Sequence, residues 1–122
     1  MTHRLASCLV ITALALAPRR SAADPGITAV YDTVDSVQIK NHDLCSGCIT
    51  HALVVVRGVR VGGSGPVTSS FDFGTNKDMA TRCERLAVIA MSRPGKYQFG
   101  IGSDAFSPDG GHGDCELILV TP

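Results

Sequence analysis

The sequence has no excess of basic residues, no tryptophan and no internal repeat. Its 122 residues include 11 lysines and arginines against 11 aspartates and glutamates, so the formal charge is zero. A nucleic-acid binder needs clustered positive charge to displace the counterions of the phosphates. The charge balance therefore indicates that nucleic acid is not the partner.

A single long hydrophobic run occupies residues 5–17, in which only two residues are not apolar. It follows Arg4 and is too short to cross a bilayer as a helix. Ser21 and Ala23 then supply the small residues that cleavage of a signal peptide requires. These features are typical of a signal peptide that ends at residue 23.

Removal of residues 1–23 changes both the length and the net charge of the chain. We expect the remaining residues 24–122 to form one exported domain, periplasmic or extracellular. All 11 acidic residues but only eight of the 11 basic residues lie in this part, which gives it a formal charge of −3. It contains no second long apolar run, so we expect no membrane insertion of the mature chain.

The mature part contains four cysteines, Cys45, Cys48, Cys83 and Cys115. An even number of cysteines in an exported chain predicts two disulfides, which would stabilise a domain that core packing alone leaves marginal. Closing the long loop between Cys83 and Cys115 should contribute about 3.5 to 4 kcal/mol, against about 2 kcal/mol for the short Cys45–Cys48 ring. Loop entropy favours long loops, but it leaves all three possible pairings open.

Alternating hydrophobic residues predict that much of the chain is β-strand. The clearest segment is residues 50–61, because its valines are β-branched and disfavour a helix. The predicted strands are one or two short ones within residues 27–40, interrupted near residues 32–36, followed by residues 50–61, 67–73, 96–101 and 116–120. The glycine-rich residues 102–114 are predicted to form an exposed loop.

Residues 76–93 are the one good helix candidate, because Met79, Cys83, Leu86 and Ala90 recur at four, three and four residues and share a narrow stripe. In an alternative interpretation, the second half of this segment is a strand of a hairpin. This suits its β-branched residues but leaves the helical spacing of the apolar residues unexplained. With the helix preferred, the sequence predicts an α+β fold. It is a single small domain with one helix packed on a mostly antiparallel β-sheet, stapled by two disulfides.

The densest group of reactive side chains is formed by His42, Cys45, Cys48 and His51. Two cysteines with a histidine three positions outside each provide four nitrogen and sulfur donors, which can close a tetrahedral site for zinc or another transition metal. A disulfide sulfur is a poor metal ligand, however, and the cysteines of exported chains are usually oxidised. A disulfide turn flanked by two surface histidines is therefore the preferred interpretation.

Cys45 and Cys48 also have the spacing of a redox dithiol. Such pairs need a first thiol of lowered pKa, and the dipole of a helix that starts directly behind the pair normally lowers it. Residues 49–61 predict a strand instead. The chain also lacks tryptophan and the strand-helix alternation of a thioredoxin-like domain, so a thiol-disulfide oxidoreductase stays an alternative.

A second polar cluster, Asp104, Asp109, His112 and Asp114, falls in the predicted glycine-rich loop. Carboxylates on such a loop can bind calcium, but their spacing does not match an EF-hand, which needs acids at alternate positions before its glycine. Solvated turn residues are the simpler interpretation. The sequence thus favours a non-catalytic domain that needs no cofactor and binds a protein or a glycan.

Overall fold

The computed structural model describes residues 26–43, 50–104 and 112–121. In chain order these residues form β1 (Ala29–Asp43), β2 (Thr50–Arg60), β3 (Pro66–Asp72), α1 (Lys77–Ser92), β4 (Tyr97–Asp104) and β5 (His112–Leu119). The strands form one antiparallel sheet in the order β3-β2-β1-β4-β5. The predicted α+β domain, with one helix and an antiparallel sheet, is confirmed. The described residues contain one disulfide, between Cys83 and Cys115, and not the expected two.

The first strand is longer and more continuous than the sequence predicted. The segment predicted as one or two short strands is a single 15-residue strand, β1. Its register with β2 shifts between Tyr31 and Thr33 and again between Val34 and Ser36. Such bulges add unpaired residues and interrupt the alternation of side chains without ending the strand. The interrupted alternation near residues 32–36 therefore corresponds to bulges within one strand and not to a gap between two strands.

The helix prediction is confirmed, and the hairpin alternative is wrong. The side chain of Asn76 caps α1 by accepting a hydrogen bond from the backbone N–H of Met79 at 3.1 Å. The buried face of α1 consists of small residues, namely Ala80, Cys83, Ala87 and Ala90. Small side chains let the helix axis lie close to the sheet. Val88, which favoured the hairpin, is half exposed on the outer side of α1.

The predicted loop at residues 102–114 is too long at both ends, because β4 continues to Asp104 and β5 begins at His112. Two of its glycines lie in the sheet, where there is no room for a side chain. A Cβ at Gly102 would overlap the backbone carbonyl of Gly26, and a Cβ at Gly113 would overlap the ring of Phe73. These glycines permit close approach within a strand, whereas the sequence suggested a turn.

The contact between Phe73 and Gly113 also shows how strongly the sheet is curled. Phe73 directly follows the edge strand β3, and Gly113 lies in the opposite edge strand β5. The fully buried ring of Phe73 nevertheless packs against Gly113. The sheet therefore wraps around its core until the end of β3 meets the beginning of β5. Beside this contact, the Cys83–Cys115 disulfide ties α1 to β5 with a Cα–Cα distance of 5.6 Å.

Candidate functional site

The histidines singled out in the sequence lie directly opposite each other near the end of the β1–β2 ladder where the chain passes from β1 to β2. In the register of the two strands, His42 is the partner of His51. Side chains of cross-strand partners point to the same face of a sheet, and neighbours along a strand alternate between faces. Ala52 and Val54 are buried against the core, so the two histidines point to the outer face. The sequence suggested their proximity, but only the register establishes it.

A hydrogen bond joins His51 to Asp72, a residue that the sequence pattern does not connect with the histidines. The Nδ1 atom of His51 lies 3.0 Å from Oδ2 of Asp72, which pairs with Leu53 on the same outer face. A carboxylate can only accept, so Nδ1 carries the proton, and the lone pair of a neutral ring is on Nε2. The described residues provide no hydrogen-bond partner for Nε2. The backbone N–H of Gly74 holds the other carboxylate oxygen at 2.7 Å.

The expectation of two surface histidines is wrong for one of them. His42 is exposed, whereas His51 is only 7% exposed. β3 lies alongside β2 and brings Asp72 to a diagonal position beside the imidazole, so that the hydrogen-bonded carboxylate covers part of the ring. Asp72 follows the edge strand's apolar Phe71 in the sequence, and nothing in that local pattern predicts its pairing with a residue 21 positions earlier.

The inner side of the same ladder end has a different contact. The hydroxyl of Thr50 donates a hydrogen bond to Oδ1 of Asp43 at 2.6 Å, across the last described pair of the two strands. Cys45 and Cys48 follow in the chain and lie outside the described residues. Their predicted roles in a disulfide, a dithiol or a zinc site are therefore not placed.

The Cys83–Cys115 disulfide narrows the possible pairings. Each cysteine forms only one disulfide, so neither partner of this bond is available to Cys45 or Cys48. Two of the three pairings are thereby excluded. The strand predicted behind the dithiol is also confirmed, because β2 begins at Thr50. The segment after Cys48 thus leads into a strand and not into the helix that lowers a thiol pKa in many redox proteins.

Metal-ligating side chains do not form a complete set within the described residues. No group of three or more histidine, cysteine, aspartate or glutamate side chains there is arranged to hold an ion. The predicted second cluster is divided. Asp109 lies outside the described residues, the backbones of Asp104 and His112 pair with each other in the sheet, and Asp114 accepts a hydrogen bond from the N–H of Cys115 at 2.8 Å.

A second candidate surface is the edge of β5 that faces away from β4, with which no other described strand pairs. The N–H of Val120 donates to the carbonyl of Lys96 at 2.9 Å, on the β4 side. Because backbone groups alternate in an antiparallel pair with a regular register, the N–H and C=O groups of Leu117 and Leu119 point away from the sheet. The side chain of Leu119 is 53% exposed and that of Val120 is 40% exposed. An open row of backbone groups therefore runs beside exposed apolar side chains.

The end of α1 adds further apolar surface near this edge. β5 runs beside α1 from the Cys83–Cys115 disulfide to the hydrogen bond between Val120 and Lys96, just past the helix end. Three residues in the second half of α1 are also large, apolar and exposed, namely Val88, Ile89 and Met91. Exposed apolar side chains of both elements are thus concentrated at one end of the molecule.

Comparison with known proteins adds no family. No protein-family model, no curated protein and no solved structure matches the chain. Because no match exists, the two surfaces must be interpreted from their own chemistry.

No helix in the described ranges is both long and apolar enough to cross a membrane.

Proposed function

We propose that the chain is an exported binding domain that takes up an extended segment of a partner protein along β5. The observation that carries this proposal is the outward direction of the backbone groups of Leu117 and Leu119, next to exposed apolar side chains. A protein segment fits this surface better than a glycan does, because it offers donors and acceptors at the spacing of a β-strand. Main-chain hydrogen bonds then provide affinity, and alternate side chains provide specificity.

The two edges of the sheet support this choice by their difference. Natural proteins protect free edges with proline, polar or charged side chains, and short strands. The edge strand β3 follows this rule, since it begins at Pro66 and continues through Thr68, Ser69 and Ser70. The last three residues of β5 and the residue after it, which follow Glu116, read Leu-Ile-Leu-Val and contain no proline and no polar or charged side chain. An unprotected apolar edge is the expected property of a surface that is covered in use.

Export is part of the proposal and is supported by two observations. The buried Cys83–Cys115 disulfide fits an oxidising compartment. The pattern of residues 1–23 matches a signal peptide, although these residues lie outside the described ranges. Both observations concern where the protein works, whereas the β5 edge concerns what it does.

A matched pair of substitutions tests the β5 proposal. Extended peptides are selected from a displayed random library on the immobilised full chain, and their affinities are measured for Leu119→Lys and Val67→Lys. Both positions are exposed apolar residues of an edge strand, at 53% and 44%. Leu119→Lys is expected to weaken binding about tenfold or more, since it places a charge in the apolar contact. Val67→Lys, on β3, is expected to leave binding within about twofold.

Three results would contradict the proposal. Equal losses in the two variants would mean that the peptides do not lie along β5. A library that yields no binders would argue against recognition of extended segments. Enrichment of oligosaccharides and not peptides, when the same chain is applied to a glycan array, would support the glycan alternative instead.

Thiol-disulfide exchange at Cys45 and Cys48 is the second candidate function. The Cys83–Cys115 bond favours it, because that bond leaves the close pair free to bond to each other and to open again. The beginning of β2 at Thr50 counts against a strongly activated thiol. A Cys45–Cys48 bond that is reduced at a mild potential, while Cys83–Cys115 stays oxidised, supports this candidate. Equal resistance of both bonds contradicts it.

A further inference from the structure

His42 and His51 have the placement of a two-histidine metal site. They are direct partners across β1 and β2, on the outer face of the sheet. The Cβ atoms of such partners are about 4.5 to 5.5 Å apart. Nitrogen–metal bonds of about 2.0 to 2.1 Å let two imidazoles at this separation turn towards a single ion. Register alone therefore brings two nitrogen ligands within reach of one another.

Asp72 fixes the orientation of the His51 ring by a hydrogen bond. In metal sites, a ligating histidine usually donates its other ring N–H to a carboxylate or a carbonyl, which fixes the tautomer and the ring orientation. The 3.0 Å contact from His51 Nδ1 to Asp72 reproduces this arrangement, and Gly74 fixes the carboxylate in turn. The lone pair of a neutral His51 ring is then on Nε2, for which the described residues provide no partner. The burial of His51 restricts its ring to few orientations.

We propose that His42 and His51 together bind one divalent transition-metal ion, with Zn²⁺ as the test ion and Asp72 as the positioning residue. Imidazole nitrogens suit Zn²⁺, Cu²⁺ and Ni²⁺ and are poor ligands for Mg²⁺ or Ca²⁺. The remaining coordination positions are open to water or to a group from a partner. Affinity is therefore lower than in a closed four-ligand site. This site does not depend on the β5 proposal, because it lies on other strands.

Charged side chains near the two histidines affect how strongly a cation can bind there. Lys40 pairs with Leu53 and so lies on the same face, two residues before His42. Its positive charge opposes a cation, and the carboxylate of Asp72 offsets it. Asp43 lies on the other face, where Thr50 donates to it, so it is not a ligand of this site.

The experiment titrates Zn²⁺ into the full chain carrying Cys45→Ser and Cys48→Ser together with Cys8→Ser, so that no free thiol remains beside the Cys83–Cys115 disulfide. Calorimetry measures stoichiometry and affinity, and ¹⁵N NMR of the imidazoles reports which rings are bound. One ion per chain is expected, with shifts at both His42 and His51. In this background His42→Gln is expected to weaken binding more than about tenfold, and Asp72→Asn by about 10- to 100-fold.

A third histidine provides the matched control. His112→Gln changes a histidine that begins β5 and is expected to leave the affinity unchanged. His42 is exposed, so His42→Gln keeps the test valid even if a change at the buried His51 impairs folding. Binding that is lost in the Cys8→Ser, Cys45→Ser and Cys48→Ser chain would overturn the two-histidine site, as would binding that His42→Gln leaves unchanged. Absence of Zn²⁺ binding at millimolar ion would overturn it as well.

Discussion

Replacement of both Cys83 and Cys115 by alanine is expected to lower the free energy of unfolding by about 3.5 to 4 kcal/mol. The bond closes a loop with a sequence separation of 32 residues, and its loss lets the unfolded chain explore many more conformations. Both sulfurs lie in the core between α1 and β5. Since small domains have about 5 to 15 kcal/mol in total, this change removes a large fraction of the stability.

Urea unfolding of the oxidised chain and of the double variant measures this effect. The control is the chain with Cys45→Ala and Cys48→Ala, whose short ring contributes at most about 2 kcal/mol if it is closed. A loss below about 1 kcal/mol for the Cys83 and Cys115 pair would contradict a large contribution of this disulfide to stability. It would mean that the unfolded chain is already restricted or that the folded state is strained by the bond.

Phe73→Ala is expected to cost about 3 to 5 kcal/mol of unfolding free energy. The ring is fully buried and fills the space between the end of β3 and the beginning of β5. Removal leaves a cavity at the point where the curled sheet meets its opposite edge. Thermal or urea unfolding measures the loss, and a cost below about 1.5 kcal/mol would show that the ring is not packed as described.

Substitution of the neighbouring Gly113 tests the contact with Phe73 specifically. Gly113→Ala alone is expected to cost roughly 1 to 3 kcal/mol, because the added methyl group would overlap the ring of Phe73. In the Phe73→Ala background the same change should cost almost nothing. The two effects are therefore non-additive. Gly65→Ala is the control, since a Cβ at Gly65 meets no atom within 4 Å, and additive costs would contradict the contact.

Much of the fold could be predicted because the local patterns agree with it. The stripe that includes Cys83 and Ala90 predicted the helix, and the valines of residues 50–61 predicted β2. The errors have a common physical cause. Gly102 and Gly113 were interpreted as loop residues, but they are strand positions where the chain of another segment fills the space of a side chain. Such contacts between distant segments leave no local signal.

The candidate sites were only half predictable for the same reason. His42 and His51 are conspicuous in the sequence, and their spacing suggested a shared site. Asp72 was not found, because its contact with His51 depends on the pairing of β2 with β3. The apolar end of β5 was visible in the sequence as a short final strand. That β5 is an edge of the sheet follows only from the strand order.

Residue-resolved hydrogen exchange with and without a selected peptide shows whether the peptide binds along β5. In the free chain, the N–H of Ile118 points to β4 and is expected to exchange slowly, whereas those of Leu117 and Leu119 point outward and exchange fast. With the peptide bound, the backbone amides of Leu117 and Leu119 are expected to exchange slowly. If they stay fast while amides elsewhere become protected, β5 is not the binding edge and the proposed function is wrong.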